Sequence, residues 1–561
     1  MEAAMMRRVA ALAIGLGVAG FASWRLLNGE ADAGDRLFCA VLAGALALLV
    51  IVASGRIGFG LLAAGSIAGL VWMIGSLKLA YLHEPLLAPD LRYFANAATL
   101  DVVRHYPGLE RKLAEAIAGV FLAILAWRLE SPGLWRSPLA RIACTFAAVL
   151  LLGWLAWPHG PFRSVYAIGT WDFIPDGLRN PTTAFVRSLS RMRVAMPGFD
   201  PADARRYDWE TPSAVVKDPA QRPDIVVVLE ESTLDPRGWA ACDVPRCTFD
   251  LFEPTPQTRA QGLLEVHTWG GATWTSEFAF LTGLPHTLFG PAGIYAPYTL
   301  APRMRETLPK RLKALGYRTV ALYPMPRDFV RAGDAYSDYG FDEFHDADEL
   351  GLTWDSTDAE LVERFEQLHR KLRTQDDQPL FVMLLTMRQH GPHDHPLDGL
   401  PPPWNQPLPR IDARLAHNLG TYLYRMHGSS DAMAELRRYL FTASRPAVLA
   451  HFGDHHPSFD GLERTLASSL PPDLRPRARE LTYFRIESAG GDAPPTPFPT
   501  LDIAFLGALV LDTAGLPRGP YFEANALLRE RCNGRFEECA DHRVLASFLA
   551  RTLGELRAFA P

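Results

Sequence analysis

The chain has 561 residues, of which 48% are hydrophobic and 21% are charged. This length accommodates a membrane anchor followed by one large globular domain, or two to three separate domains. The formal net charge of −6 and the lack of a dense basic stripe argue against a nucleic-acid-binding protein.

Apolar blocks dominate the sequence up to about residue 158. They cover Val9–Trp24, Leu37–Gly55, Ile57–Leu77, Ala116–Trp127 and Ile142–Pro158. A helix that crosses a bilayer needs about 20 predominantly apolar residues, so residues 1–158 predict a transmembrane domain of about five spans. The fourth block is the weakest, because Glu115 and Arg128 bound it. The first block also resembles a signal peptide, but the blocks that follow it favour a retained helix.

The basic residues beside the apolar blocks leave the membrane orientation open. Arg7 and Arg8 favour a cytoplasmic N-terminus, whereas the later basic residues lie on both sides of the predicted spans. With the N-terminus inside, an odd number of spans places the rest of the chain outside. The span count therefore predicts an extracytoplasmic C-terminal domain.

The sequence beyond the blocks predicts a connecting segment and then a layered α/β domain. Residues 159–222 are rich in Pro, Gly and Arg with little apolar rhythm, which is typical of a connection along a surface. Over residues 223–561, strand and helix patterns alternate, as in an α/β domain. Strands are predicted within 222–232, 317–324, 379–392 and 445–458, and helices within 304–316 and 501–517.

Four of the six cysteines form two close pairs outside the apolar blocks, Cys242 with Cys247 and Cys532 with Cys539. Short local pairs suit disulfides in an oxidising compartment. A zinc site built from the same four thiolates is the alternative, although neither pair has the tight spacing typical of such sites.

Three of the predicted strands end in polar clusters. These are "EES" at 230–232, "RQH" at 388–390 and "DHH" at 454–456. Functional sites of open α/β sheets lie at the carboxyl ends of strands, and carboxylates with imidazoles suit a divalent metal. Taken alone, "DHH" is also compatible with a solvated turn, but the three clusters together predict a metal site.

The stretch "HTWGGATWTSEFAFLTGLP" (267–285) predicts a tight turn followed by a helix. Gly270-Gly271 permit the turn, and Thr273 follows them at the start of the helix. Backbone N–H groups and the helix dipole favour a bound phosphate there. Thr273 is therefore a candidate nucleophile, with Thr275 and Ser276 as competitors and a simple helix cap as the structural alternative.

Activation of Thr273 requires help, because a threonine hydroxyl is a poor nucleophile at its ordinary pKa. A metal held by Glu231, Asp454 and His455 would lower that pKa. Glu230 precedes Glu231 directly, so the identity of the glutamate ligand is open by one residue.

The motifs "VVVLEES", "GGATWTSEFAFLTG", "MRQHGP" and "FGDHHPS", behind the apolar blocks, resemble the sulfatase-like branch of the alkaline-phosphatase superfamily. More closely, they resemble the membrane-anchored lipoteichoic acid synthases and the phosphoglycerol and phosphoethanolamine transferases. Arylsulfatases carry a Cys or Ser about ten residues before the glycine of their "LTG", and the corresponding residue before Gly283 is Thr273. Threonine cannot become formylglycine, which favours the transferase branch, whose nucleophile is threonine.

The resemblance implies a fold and a set of site residues. The fold would be a mostly parallel central sheet covered by helices, and the site would hold one or two Zn²⁺ or Mn²⁺ ions. The implied metal ligands are Glu231, Thr273, Asp454 and His455. His390 would bind the donor phosphate or assist proton transfer, and Arg331 and Trp354 would contact the substrate.

The implied activity is transfer of a phospholipid head-group phosphate onto an envelope glycan or lipid through a phospho-threonine intermediate. The donor would be phosphatidylglycerol or phosphatidylethanolamine, and the enzyme would lie in a bacterial inner membrane with its catalytic domain in the periplasm. One alternative is a metal-dependent phosphodiesterase or phosphatase that uses water as acceptor. A non-catalytic membrane scaffold is a further alternative, but it predicts loss of a metal ligand, and the expected ligands are present.

Overall fold

A computed structural model describes residues 2–106, 108–135, 137–169, 173–210, 222–459, 462, 470–489 and 496–560. The chain forms two compact units, Met1–Arg193 and Val194–Pro561. The boundary between these units falls inside the predicted connecting segment 159–222, of which residues 211–221 lie outside the described residues. The predicted boundaries at 158 and 222 remain predictions.

The N-terminal unit is helical. Its helices are α1 (Glu2–Gly29), α2 (Ala33–Ser54), α3 (Ile57–Leu82), α4 (Asp90–Tyr93), α5 (Ala97–Val103), α6 (Leu109–Leu129), α7 (Pro138–Leu155), α8 (Phe173–Arg179) and α9 (Pro181–Arg191). Helices α1, α2, α3 and α7 are long and apolar enough to cross a membrane. The described residues thus contain four candidate spans.

Helix α6 contains the weakest of the predicted spans. Its composition explains why the described residues contain four candidate spans where the sequence predicts about five. It is 21 residues long, but the charged segment 110–112, Glu115 and Arg128 interrupt its apolar character at both ends. It therefore does not have the hydropathy of the other four helices. It nevertheless packs against α1 and α3, with Gly119 lying against Ser66 of α3.

The C-terminal unit contains one sheet of eight strands in its described part. The strands are β1 (Asp224–Glu230), β2 (Thr258–Glu265), β3 (Arg318–Leu322), β4 (Glu343–His345), β5 (Leu380–Leu385), β6 (Ala447–Gly453), β7 (Leu481–Ser488) and β8 (Thr496–Asp502). Their spatial order is β4-β3-β5-β1-β6-β7-β2-β8. Only β7 runs antiparallel to its neighbours, which confirms the mostly parallel sheet.

Helices cover this sheet. Those of the C-terminal unit are α10 (Thr273–Thr282), α11 (Ala296–Thr299), α12 (Leu308–Ala314), α13 (Ala332–Tyr339), α14 (Ala347–Leu350), α15 (Asp358–Arg373), α16 (Ala413–Thr442), α17 (Leu506–Thr513), α18 (Gly519–Arg531) and α19 (His542–Leu549). Val226 and Val228 of β1 lie in the same buried cluster as Phe365 of α15 and Leu419 of α16. Ile225, Val227 and Leu229, which lie on the other face of the strand, are buried as well, and burial on both faces explains the unbroken apolar run of β1.

Register at the centre of the sheet decides where the polar clusters lie. Glu230 at the end of β1 pairs with Gly453 at the end of β6. The next residues, Glu231 and Asp454, therefore leave two neighbouring parallel strands at the same level. Parallel pairing thus brings two carboxylates together from positions more than 200 residues apart in the sequence.

The late helix predicted over 501–517 is partly wrong. Leu501 and Asp502 pair with Leu264 and Glu265 as the end of β8, and α17 begins only at Leu506. A continuous apolar run gives the same signal for a buried strand as for a buried helix, so the sequence could not separate the two elements.

Both cysteine pairs form disulfides. Cys242 is bonded to Cys247 and Cys532 to Cys539. The alternative of a zinc site built from these four thiolates is therefore wrong.

Candidate active site

Glu231 lies just beyond the buried end of β1 with its carboxylate held in place. The Ser232 hydroxyl donates to Glu231 Oε1 over 2.9 Å, and the Glu231 backbone N–H donates to Thr386 Oγ1 over 3.2 Å. Glu230 is buried elsewhere, with Oε1 lying 3.5 Å from Nδ1 of His451. The glutamate of the cluster is therefore Glu231.

Thr273 is the first residue of α10 and its hydroxyl points at Glu231. The preceding turn uses left-handed backbone at Gly270 (φ 71°) and Ala272 (φ 65°). The Thr273 hydroxyl donates to Glu231 Oε2 over 2.9 Å and lies 3.3 Å from Nε2 of His455. Its side chain does not cap the helix, because the cap position belongs to Ala272.

The competing hydroxyls of α10 have other partners. Thr275 Oγ1 donates to the backbone oxygen of Ala272 over 2.8 Å, and Ser276 Oγ donates to that of Asp454 over 2.7 Å. Both residues are buried. Thr273 is therefore the hydroxyl of this segment that contacts the acidic cluster.

Asp454 and His455 complete the cluster from the end of β6. Asp454 Oδ1 accepts from the backbone N–H groups of Ser232 and His455, each over 2.7 Å. Asp454 Oδ2 lies 3.2 Å from Nε2 of His455. His455 Nδ1 lies 2.9 Å from the backbone oxygen of His456, so this contact holds the ring with Nε2 facing the carboxylates.

The charges of the cluster depend on one another. Burial raises the pKa of Glu231, but the charges of His455 and His390 outweigh burial and hold that pKa well below its ordinary value. Burial and the charge of Glu231 raise the pKa of Asp454 well above its ordinary value. Burial lowers the pKa of His455, while Asp454 and Glu231 raise it to about 9.

The same residues fit a divalent metal. One ligand atom from each of Glu231, Asp454 and His455 lies within 4.8 Å of the others, and all three side chains are buried. Asp454 Oδ2 is shielded from solvent and has no hydrogen-bond partner among the described residues, which is an incomplete environment for a carboxylate. Two carboxylates, an imidazole and a hydroxyl are a donor set that suits Zn²⁺ or Mn²⁺.

His390 and Trp354 lie together beside the cluster. The His390 ring is 5.2 Å from the Trp354 ring, and the charge of His390 acts on Glu231. Arg331 follows β3, where it forms an ion pair with Asp334 over 2.6 Å. The structure thus groups His390 and Trp354, whereas the described partner of Arg331 is Asp334 of α13, the helix that begins just after Arg331.

A second buried group with metal-ligand chemistry lies at the same edge of the sheet. Its members are Glu265 at the end of β2, His267 two residues later and Asp502 at the end of β8, again with ligand atoms within 4.8 Å of one another. His267 Nε2 lies 2.8 Å from Asp502 Oδ2. The sequence analysis did not predict this group, because β2 and β8 were not recognised as strands.

Comparison with known proteins supports the sequence motifs. The sulfatase family model matches residues 223–491. An uncharacterized protein of Haemophilus influenzae is 30% identical over 492 residues, which cover 84% of this chain and 86% of that protein. The chain belongs to the sulfatase family. Its predicted place in the sulfatase-like branch of the alkaline-phosphatase superfamily is confirmed.

Other relatives of this sulfatase-family chain are more distant. The capsular polysaccharide biosynthesis protein RkpI of Rhizobium meliloti is 27% identical over 246 residues, or 42% of each chain. The phosphoglycerol transferase GacH of Streptococcus pyogenes, solved with sn-glycerol-1-phosphate, shares 16% identity at a TM-score of 0.48, over 65% of this chain and 98% of its own. The lipooligosaccharide phosphoethanolamine transferase EptA of Neisseria meningitidis shares 12% identity at a TM-score of 0.47, over 87% and 98%.

Arg425 was not predicted from the sequence as a site residue. It reaches the site of this sulfatase-family domain from the middle of α16. Its NH1 group donates to the backbone oxygen of His390 over 3.4 Å. A signal was present, because Arg425 lies next to the buried Met426 in the otherwise apolar stretch "LGTYLYRM". A charged residue at such a position of a helix indicates a polar partner or a ligand.

Proposed function

We propose that this protein is a metal-dependent transferase that moves a phospholipid head-group phosphate onto an envelope glycan or lipid. Thr273 would be the nucleophile and would carry the phosphate as a covalent intermediate. The observation that supports this role is the Thr273 hydroxyl at the start of α10, within hydrogen-bonding distance of Glu231 and His455. The head group would be phosphoglycerol or phosphoethanolamine.

The residues proposed to hold the metal are Glu231, Thr273, Asp454 and His455, with one or two Zn²⁺ or Mn²⁺ ions in the site. Such an ion, when bound, lowers the pKa of a hydroxyl ligand and neutralises charge on the transferred phosphate. The protein orients the two carboxylate ligands, because backbone N–H groups hold Asp454 and the Ser232 hydroxyl holds Glu231. The Thr273 hydroxyl donates to one of these fixed carboxylates. It is therefore oriented before the reaction and loses little further freedom in it.

The proposed reaction has two balanced steps. In the first, the Thr273 oxygen bonds to phosphorus, the bond from phosphorus to the diacylglycerol oxygen breaks, and diacylglycerol leaves with the proton that Thr273 loses. In the second, an acceptor hydroxyl oxygen bonds to the same phosphorus, the bond from phosphorus to Thr273 breaks, and Thr273 regains a proton from the acceptor. His390 binds the phosphate or relays these protons, and Arg331 and Trp354 contact the substrate.

We place the catalytic unit on the extracytoplasmic side of a bacterial inner membrane. The disulfides Cys242–Cys247 and Cys532–Cys539 support this proposal, because disulfides persist in oxidising compartments. Helix α6 would then be a fifth crossing, so that the N-terminus and the C-terminal unit lie on opposite sides. Donor lipid and envelope acceptor are both available on that side.

The experiment that tests this function is labelling of the purified full-length protein with a phospholipid that carries a labelled head group. The wild-type protein should acquire the head-group phosphate on Thr273, and mass spectrometry of that peptide identifies the head group. Thr273→Ala should abolish the label, since it removes the attacking oxygen.

Thr275→Ala is the matched control for this experiment, since it removes a hydroxyl two residues away that bonds to backbone. It should still be labelled. Label on the Thr273→Ala protein, or loss of label only in Thr275→Ala, would contradict the proposed nucleophile. Release of free head-group phosphate without any transfer to acceptors would identify a hydrolase.

A further inference from the structure

Two arginines lie beside His390 and form no ion pair with a carboxylate of the described residues. Arg425 NH1 donates to the backbone oxygen of His390 over 3.4 Å, and Arg425 Nε is shielded from solvent without a hydrogen-bond partner in the part of the chain that the structure describes. Arg388 follows β5, two residues before His390, and its NH1 group donates to the backbone oxygen of Asp355 over 3.4 Å. In the described ranges, no carboxylate oxygen lies within 4.0 Å of either guanidinium. We call Arg388 and Arg425 the arginine pair.

The nearest described carboxylates form no ion pair with the arginine pair. Asp358 is occupied, since it accepts from the backbone N–H groups of Met387 and Arg388 over 3.3 and 3.2 Å and from the Ser429 hydroxyl. Asp355 is exposed and offers Arg388 its backbone oxygen rather than its carboxylate. Burial and the charge of Arg388 lower the pKa of Arg425, and the charge of Asp355 opposes them only in part. Two like charges are therefore kept close together at a cost in free energy.

The position of the arginine pair relates it to substrate rather than to folding. Arg388 lies in the short segment 387–391 that carries His390, and Arg425 contacts this segment from α16. Asp355 directly follows Trp354, whose ring contacts that of His390. Planar guanidinium groups bind phosphate and carboxylate oxygens through paired, charge-assisted hydrogen bonds. Arg388 and Arg425, which lie beside the histidine proposed to bind phosphate, are thus suited to bind an anionic group.

We propose that the arginine pair binds a phosphate group of the acceptor substrate. This inference rests on the proposed function, in which the single phosphate of the donor is held by the Thr273 cluster and His390. A second anion at the arginine pair must then belong to the molecule that receives the head group. The acceptor class would be a phosphorylated glycan or lipid whose free hydroxyl forms the new bond to phosphorus while the bond from phosphorus to Thr273 breaks.

The test separates the two half-reactions of the full-length protein in detergent. Protein labelled on Thr273 is mixed with glucose 6-phosphate or with methyl glucoside, and transfer of label to each sugar is timed. The wild-type protein should favour the phosphorylated sugar by at least about tenfold, as expected for charge-assisted hydrogen bonds. The Arg388→Gln/Arg425→Gln variant, once labelled on Thr273, should transfer the label to the two sugars at similar rates.

Arg438→Gln is the matched control, because Arg438 is an exposed arginine on the same helix that pairs with Glu435. It should keep the preference for the phosphorylated sugar. Arg425→Lys, which retains the charge, should keep part of it, and this variant also guards against a folding defect in the glutamine variants.

Several outcomes would overturn the inference. Equal transfer to both sugars by the wild-type protein, or an unchanged preference in the double variant, excludes a role for the arginine pair in acceptor binding. Slower formation of the intermediate in the double variant assigns the pair to the donor instead. If the wild-type protein forms no intermediate, the proposed function fails, and calorimetry then decides whether glucose 6-phosphate still binds more weakly to the double variant than to the wild type.

Discussion

Two groups of the C-terminal unit share their residue types, their burial and their place at one edge of the sheet, yet they differ in how charge is compensated. The first consists of Glu231, Asp454 and His455, and the second of Glu265, His267 and Asp502. Each follows the carboxyl ends of parallel strands, β1 and β6 for the first and β2 and β8 for the second. By ligand type and spacing alone, either could hold a metal.

Arg477 distinguishes the second group. Its NH1 group forms an ion pair with Glu265, and its NH2 group lies 3.3 Å from Nδ1 of His267. His267 in turn contacts Asp502, so that a guanidinium occupies the position of a cation. The first group has no arginine in contact among its described neighbours, and Asp454 Oδ2 lacks a hydrogen-bond partner there. We infer that charge compensation, rather than residue type, distinguishes a candidate metal site from a structural ion pair.

The largest effect we expect is loss of the metal from the first group alone. Asp454→Asn removes one charge and one ligand, so metal content should fall to near zero. Formation of the labelled intermediate should fall by about a thousandfold, since a bound ion supplies several kcal/mol. Elemental analysis by plasma mass spectrometry and the labelling assay measure both.

Asp502→Asn is the control that tests the proposed difference between the two groups. It makes the same change in the second group and should leave the metal content of the protein at the wild-type value. If Asp502→Asn also removes one metal equivalent, the second group is a metal site and our distinction between the groups is wrong.

Arg477→Gln should produce the next largest effect, on stability. It leaves Glu265, whose side chain is 3% exposed, without its ion-pair partner, and breaking such a pair costs about 3–5 kcal/mol. Chemical denaturation of the full-length protein measures the loss. Arg475→Gln, an exposed arginine in the same segment, should change stability by less than about 0.5 kcal/mol.

The Arg477→Gln variant also tests whether the second group can bind a metal when the guanidinium is removed. Without the guanidinium, the second group resembles the first, so Zn²⁺ should restore part of the stability of Arg477→Gln. Stability that does not respond to Zn²⁺ would mean that geometry, not only charge compensation, separates the two groups.

Strand-end motifs made the first group predictable from the sequence. Glu231, Asp454 and Thr273 each follow a strong local signal, namely a buried apolar run or a glycine pair, and parallel pairing brings such ends together. Arg425 carried a weaker signal, a single charge beside buried residues of a long helix, and Arg477 lies in an irregular segment before β7. Their roles depend on tertiary packing, which single-sequence periodicity does not encode.

Sequence patterns also could not decide whether some apolar segments form a strand, a membrane span or another helix. The start of α17 was misplaced because β8 and α17 are joined in one apolar run. The charges at both ends of α6 made its membrane role ambiguous from the sequence, and they keep it below the hydropathy of the other spans. In both cases, the apolar character of the segment identified burial without identifying the element.

Glu277 offers a third way to bury a carboxylate and the smallest expected effect. It lies in α10 and accepts a hydrogen bond from the Tyr336 hydroxyl over 2.8 Å. Among the described residues, it forms no ion pair with an arginine and belongs to no candidate metal group. Burial raises its pKa to about 7, with the Tyr336 bond opposing and the charge of Glu231 adding to the rise.

The sign of the resulting pH dependence follows from this raised pKa. The folded protein holds the proton more tightly than the unfolded chain, whose ordinary pKa is 4.5. The stabilisation is thus complete below pH 4.5, declines as the pH rises through about 7, and amounts to about 3 kcal/mol in total. Glu277→Gln keeps the acceptor for Tyr336 without titrating, so its stability between pH 5 and about 8 should fall less than that of the wild type by this amount. The exposed Glu363→Gln variant should follow the wild-type profile, and parallel profiles for wild type and Glu277→Gln would show that Glu277 is ionised and compensated by a group other than a proton.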